Sequence, residues 1–492
     1  MAGERASRLL LTGVAAAAVS LPFLAVRFTP VTDLPQLLAQ VRLFGEALGV
    51  PDGPYEIRWT NPSSASFVVF AASWLVAPPV AAGRIAMILL GLVWVAGVHG
   101  LASHRDRPPE AALLASLVFL SHPTYWGFHG FVLGFAPFLL FFHATSARRG
   151  PPAPRTEGLQ VLALSLLLYA SHLLWLLAAL AWLFAALVLF PVPWARRRAH
   201  VLGVAPAAGL AAFWIARAGA GEAPAPVWFH PASRLDANWW TSAILGGVRG
   251  PAEALLVCVF VLYLLFGALG NMRERSGTDR ELLTLGGLLL LVAAFAPDNW
   301  IQTIELNSRW APAGAACLLL GAPAPRWPSL LRSTAAVATA AVFALVTAAA
   351  WRRVESEELA GLDEALRSVP PASRVLGLDF VKQSRYVWRR PFLHAFAWAQ
   401  VLKGCTPGFS FAELRAPLVG FRRGTPAPPG TPRLEWFAER VTPADLLRFD
   451  HAIVNAVEAA HAEIVLEGRL LPVTREGRFR LYAVRPAEGA VP

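Results

Sequence analysis

A multi-span α-helical membrane protein with a small C-terminal α/β domain is the fold class predicted for this 492-residue chain, on three observations. Hydrophobic residues make up 56% of the sequence and charged residues only 15%, more apolar surface than a water-soluble core of this length can bury. Apolar runs of helical length recur up to Ala350, and the connections between them alternate between Arg-rich and Arg-poor. From Trp351 onward the pattern changes to short helical and strand-like segments, and both Lys residues, Lys382 and Lys403, lie there.

Apolar segments of bilayer-crossing character, about eleven in number, are predicted at 7–27, 81–102, 110–121, 126–145, 159–172, 174–193, 200–217, 251–270, 281–297, 309–322 and 333–350. The first follows MAGERASR and reads as a retained signal anchor, because no small-x-small cleavage site follows it. The continuous block from Leu159 to Pro193 is divided at Tyr169-Ala-Ser-His172. With a cytoplasmic N-terminus, the inner connections carry Arg105 and Arg107, then Arg148, Arg149 and Arg155, then Arg196, Arg197 and Arg198, then Arg273, Arg275 and Arg280, then Arg326 and Arg332. The outer connections are short or poor in Arg, which is the positive-inside distribution. The net charge of +11 is therefore topological and gives no ground for a nucleic-acid partner. Cys258 and Cys317 lie in apolar runs and Cys405 stands apart, so neither a disulfide framework nor thiolate metal chemistry is implied.

This orientation makes 28–80 a long first outer loop. Leu34, Leu37, Leu38, Val41 and Leu48 recur at helical spacing, predicting an amphipathic surface helix over 34–48. The apolar stretch Phe67 to Val76 is shorter than a span and ends at Pro78-Pro79, which places it in the interface. The chain divides into a transmembrane part, 1–351, and a soluble α/β part, 352–492, on the outer side. That second part is predicted to hold an acidic helix near Glu355 to Arg367, strands at Arg374 to Asp379 and Ala452 to Asn455, and a hairpin from Glu463 to Val484 turning at Arg475-Glu476-Gly477. The Pro/Gly-rich stretch Thr425 to Pro432 is a loop within it.

Asp33, a carboxylate just past the first span, admits two readings. As a structural residue it opens the capping box Asp33-Leu-Pro-Gln36, with Pro35 in the first helical turn. The functional reading comes from the order of parts: a first span, a long outer loop opening on an acid, surface helices, many further spans and an outer soluble domain. With Asn61-Pro-Ser-Ser-Ala-Ser-Phe67, Gly83-Arg84-Ile85, the Gly- and Phe-rich run Trp126 to Ala136, and Asn307-Ser-Arg309-Trp310, this layout resembles the GT-C superfamily of integral membrane glycosyltransferases. Protein O-mannosyltransferases and lipid A aminoarabinose transferases are members. The resemblance implies that Asp33 is catalytic and that sugar comes from a polyprenyl-phosphate donor to an extracytoplasmic acceptor in a bacterial plasma membrane. Asp33 is followed by Leu34, not by a second acid.

Transfer from a polyprenyl phosphate needs a base for the acceptor hydroxyl and charge stabilisation for the leaving phosphate, so one carboxylate and nearby cations suffice. Arg84, Arg217, Arg249 and Arg309 fall at the outer rim as phosphate-binding candidates, with snorkelling as the alternative for each. Arg309 leads, since it follows Glu305 and Asn307. His122, His129 and His172, near outer span ends, together with Glu305, Asn307 and Asp298, are acceptor or accessory candidates. The sequence requires no cofactor; a divalent metal on Asp33 and His122 is an option that the resemblance raises, against structural histidines. Outer-side Trp residues fit an aromatic belt or a sugar pocket, and the loop from Glu222 to Gly250 is a candidate lid. A lipid-linked-sugar flippase is the rival, disfavoured by span interiors almost free of charge. A non-catalytic assembly protein that keeps this layout is the third reading.

Overall fold

In the computed structural model the described residues are 2–147, 154–218, 225–271, 277–300, 303–425, 431, 433–463 and 468–485. Arg148, Arg149, Arg273 and Arg275 lie outside them, as do residues 222–224 of the candidate lid and most of the loop from Thr425 to Pro432. Helices occupy each of the predicted apolar segments, and α2 and α11 lie outside them: α1 Ala2–Ala25, α2 Leu34–Gly49, α3 Ser64–Val76, α4 Pro79–His104, α5 Pro109–Leu117, α6 His122–Trp126, α7 His129–Thr145, α8 Pro154–Ser171, α9 Leu173–Leu189, α10 Trp194–Ala218, α11 Ala237–Ile244, α12 Pro251–Asn271, α13 Arg280–Phe295, α14 Trp310–Gly321 and α15 Ser329–Arg353. Five of them, α1, α4, α10, α12 and α15, are long and apolar enough to cross a bilayer.

Two segments depart from the predicted spans. α5 has 9 residues, an axial length of about 14 Å against about 30 Å of hydrocarbon, so it does not cross alone. The segment 126–145 is broken at Gly127, whose φ of +87° ends α6 before α7 begins. The division of the 159–193 block falls where the sequence places it: His172 is extended between α8 and α9, and its Nδ1 accepts the Leu174 amide at 3.2 Å. α3, with 13 residues, stops before Pro78-Pro79 as expected, too short to cross a bilayer alone, and leaves Leu75 and Val76 exposed.

The Arg residues at one end of the bundle are built into it. Arg105 bridges Asp279 (3.1 Å) and Glu281 (2.8 Å), all three buried. Arg107 donates to the carbonyls of Leu320 (2.6 Å) and Ala322 (2.5 Å), satisfying acceptors that the C-terminus of α14 leaves open. Arg196 meets Glu157 at 2.8 Å, and Arg332 meets Glu110 at 2.5 Å. Buried pairs of this kind specify packing more than they stabilise, and removing one partner strands a charge.

After α15 the acidic stretch is interrupted, because Gly361 adopts φ +86° and restarts the chain as α16, Leu362–Ser368. β2 (Arg374–Asp379), α17 (Ala397–Lys403), β3 (Thr406–Pro407), β4 (Val419–Phe421), α18 (Pro443–Leu446), β5 (His451–Asn455), α19 (Glu458–Glu463), β6 (Leu470–Pro472) and β7 (Phe479–Val484) follow, β1 being Tyr55–Ile57. One sheet has the order β3-β2-β5-β7-β6, with β2 parallel to β3 and β5 and the rest antiparallel. The predicted strands and hairpin are thus present, the hairpin starting at Leu470.

The first loop and the C-terminal region are interleaved. β1 pairs antiparallel with β4, Glu56 opposite Gly420. α2 is not the surface helix expected from its amphipathicity: Leu34, Gln36, Leu38, Gln40 and Leu43 are all buried. Its polar positions bind the other region's backbone, Gln36 to Phe409 O and Phe411 N (both 3.1 Å) and Gln40 to Val419 N (3.0 Å). Hence the Gln side chains read as a solvent face mark a protein interface.

Candidate functional site

Asp33 is the N-cap of α2, but its carboxylate makes no capping hydrogen bond and its backbone is helical, φ −91° and ψ −2°. The expected capping box is not formed, because Gln36 reaches across to residues 409 and 411 instead of back to its own helix. The Asp33 carboxylate turns to His394, Oδ1 lying 3.0 Å from Nδ1. Oδ2 has no hydrogen-bond partner among the described residues, and the side chain is 16% exposed. The backbone is fixed independently: the amides of Thr32 and Asp33 donate to Tyr125 O (2.9 Å) and Trp126 O (3.1 Å). Tyr125 is in turn held by Trp351, whose Nε1 donates to its hydroxyl at 2.9 Å.

Arg309, just before α14, packs against the same turn. Its guanidinium lies 3.5 Å from the Phe128 ring centroid, and Phe128 stacks on Trp126. Nε and Nη2 both donate to Ile304 O, at 3.2 and 2.8 Å, while Nη1 has no partner among the described residues. Arg309 is buried, and the negative charges it feels are Asp33 and Glu305. It lines a cavity of ≈ 250 Å³ whose wall includes Ser63, Ser66, Phe67, Phe128, His129 and His172. Asp33 stands just behind the Gly127 part of that wall: a Cβ on Gly127 would come within 2.9 Å of Asp33 Cβ and 3.0 Å of His129 Cε1.

Gly127→Ala therefore meets two obstacles, an αL backbone that costs an L-residue about 1–2 kcal/mol and a methyl pressed between Asp33 and His129. The expected result is a melting temperature lowered by several degrees, together with displacement of Asp33. Thermal unfolding in detergent checks it, and an unshifted midpoint contradicts it.

The other candidates divide into those near this turn and those elsewhere. His129 is buried with neither ring nitrogen hydrogen-bonded among the described residues, its ring edge-on to Phe70. His122 is fully buried, its Nε2 3.6 Å from Glu305, whose carboxylate also accepts from Ser308 Oγ at 3.1 Å. Burial, then the nearby Arg389 charge, lowers His122 to about 4, so it is neutral at pH 7. Burial pushes Glu305 up, but His122, Arg389 and Ser308 outweigh it and hold that carboxyl below its usual range.

Arg84, Arg217, Arg249, Asp298 and Asn307 are engaged elsewhere. Arg84 donates to Val26 O at 3.0 Å, tying α4 to the end of α1. Arg217 is exposed beside Phe213. Arg249 donates to Val387 O (3.2 Å) and covers the Trp388 ring. Asp298 accepts from Arg234 (2.9 Å), the Phe229 amide (2.7 Å) and Asn307 (3.0 Å), a hub that ties the loop before α11 to the one before α14. The proposed metal pair is not assembled: Asp33 faces His394 and His122 faces Glu305, and no group of three or more potential ligands occurs among the described residues.

Sequence reasoning missed His394, Arg389 and Glu435, all from the C-terminal region. His394 packs against Phe409 and Phe411 and is 4% exposed. Arg389 donates to Ser242 O at 3.2 Å with its charge directed at Glu305 and Glu253. The signal was there in Arg389-Arg390-Pro-Phe-Leu-His394, a basic and aromatic cluster in a region read as a separate domain.

No family model matches the chain, and no curated protein matches it. Among solved structures it is similar to ArnT from Cupriavidus metallidurans bound to undecaprenyl phosphate, with a TM-score of 0.48 and 12% identity over 96% of this chain and 97% of the other. The apo state of the same protein gives a TM-score of 0.42 at 11% identity, with the same shares covered. ArnT is a lipid A aminoarabinose transferase and a GT-C glycosyltransferase.

Proposed function

We propose that this protein is a polyprenyl-phosphate-sugar-dependent glycosyltransferase acting on the outer face of a bacterial plasma membrane, with Asp33 as general base and Arg309 as the lipid-phosphate ligand. The observation that carries this reading is the convergence on one turn, residues 126–128, of a carboxylate with a free oxygen and a buried guanidinium with a free nitrogen, beside a largely apolar cavity. In the reaction, Asp33 Oδ2 takes the acceptor hydroxyl proton as that oxygen bonds to the anomeric carbon and the bond to the phosphate oxygen breaks. The electron pair leaves on the phosphate, where Arg309 Nη1 meets it with a charge-assisted hydrogen bond in a water-poor setting. A single displacement of this kind inverts the anomeric centre.

The long helix α4 supports the orientation. Arg84 at its start is tied to Val26, near Asp33, whereas Arg105 at its other end belongs to the buried Arg-rich layer. The positive-inside bias puts that layer in the cytoplasm and Asp33 outside. Purified protein in lipid vesicles, offered polyprenyl-phosphate-linked sugars or nucleotide sugars with cell-envelope glycan acceptors, is expected to consume only the lipid-linked donor and release polyprenyl phosphate, read by mass spectrometry. Consumption of nucleotide sugar instead overturns the reading.

A further inference from the structure

The segment 384–394 leaves the C-terminal sheet and straps onto the membrane helices. Ser384 Oγ and the Arg385 amide (2.8 Å) donate to Glu358, anchoring its start below α15. The Arg249 amide donates to Tyr386 O (2.9 Å), Trp388 N to Gly247 O (2.8 Å), and Val387 bridges to Val248. Arg389 then reaches Ser242, and the chain arrives at Asp33 with His394, 361 residues away in sequence. The imidazole is pinned on both sides: Phe409 stacks at 5.7 Å and Phe411 meets it edge-on at 5.3 Å. Such a ring has little rotational freedom, so its Nδ1 direction is preset.

We infer that His394 is a positioning residue for Asp33: its Nδ1–H holds Oδ1, which fixes the carboxylate plane and leaves Oδ2 as the oxygen that accepts the substrate proton. This rests on the reading of Asp33 as the base. The arrangement is that of a carboxylate oriented by a buried imidazole, here supplied by the C-terminal region to the first loop. The charged and titratable groups around the pair are Arg309 toward Asp33, His129 across Gly127, and Glu435, a buried carboxyl that interacts with His394 and is raised by burial. Glu435 Oε2 is buried with no hydrogen-bond partner among the described residues.

The test uses the full chain in vesicles and needs no substrate. A hydrophobic carbodiimide modifies accessible carboxyls, and peptide mass spectrometry reads the rate at which Asp33 is labelled at one fixed pH. In H394F, which keeps the stacking and loses the donor, Asp33 is expected to be labelled several-fold faster, because Oδ1 is released from its hydrogen bond. H394N, whose amide takes the place of Nδ1–H, is expected to return the labelling rate to the native value. Where H394F does not accumulate, H394Q, with its amide displaced from Oδ1, serves in its place. An unchanged labelling rate, or one raised equally by H394N, overturns the inference. With a donor turned over, H394F is expected to lower kcat about ten- to hundred-fold with the donor KM unchanged, whereas a rise in KM alone overturns it. Retained activity in D33N would instead remove the base reading itself, leaving the labelling result to stand on its own.

Discussion

Asp33→Asn is expected to lower transfer by about 10²- to 10⁴-fold, the range for loss of a general base, while the purified protein keeps its native melting temperature. The structural half of this expectation follows from geometry. A side chain that caps a helix contributes about 1 kcal/mol to it, but the Asp33 carboxylate donates nothing to α2 and accepts nothing from it. Asn keeps an oxygen toward His394 and leaves the two backbone bonds to Tyr125 and Trp126 untouched. What it loses is the capacity to accept a proton. The measurement pairs initial rates with thermal unfolding of the same preparation. Near-native rates would dismiss the base, and loss of folded protein would return Asp33 to a structural role.

The second large effect belongs to Arg309. Removing the guanidinium leaves the Ile304 carbonyl without its two donors, and Asp33 and Glu305 without the nearby cation. Arg309→Ala is expected to weaken retention of undecaprenyl phosphate about 10- to 100-fold, equivalent to one charge-assisted hydrogen bond. Arg309→Lys should recover little. An ammonium has no planar face for Phe128 and cannot serve Ile304 O and a phosphate from one rigid fork. Binding is read as the rise in melting temperature with added undecaprenyl phosphate, since a ligand of the folded state stabilises by mass action. An equal rise in both variants would assign the phosphate to other groups.

The bilayer part was legible because apolar period and length act locally. The helices lie where hydropathy places them, and His172 divides α8 from α9 where polar residues interrupt the run. Asp33 and Arg309 could be singled out for the same reason, each being a charge next to an apolar segment. Local signals failed where a distant partner intervened. Asp33-Leu-Pro-Gln36 has the spacing of a capping box, yet Gln36 finds better partners in Phe409 and Phe411. The pattern of α2 implies a solvated face, yet residues hundreds of positions away cover it. His394 could not be connected with Asp33 at all, because nothing in composition or period encodes a contact of that sequence separation. Arg84, Arg217 and Arg249 show the converse: a rim position does not separate a ligand from a brace, and each here is a brace or is exposed.

The pairing of β1 with β4 and the docking of Gln36 and Gln40 on residues 409–419 also set an order of events during synthesis. While the ribosome is still making the last quarter of the chain, the first loop has emerged but has nothing to pair with. A nascent chain halted before residue 394 can thread its helices through the translocon, yet its Asp33 carboxylate lacks the His394 hydrogen bond. The pairing of Asp33 with His394 therefore forms only when the final segment arrives, so that the proposed site is assembled last.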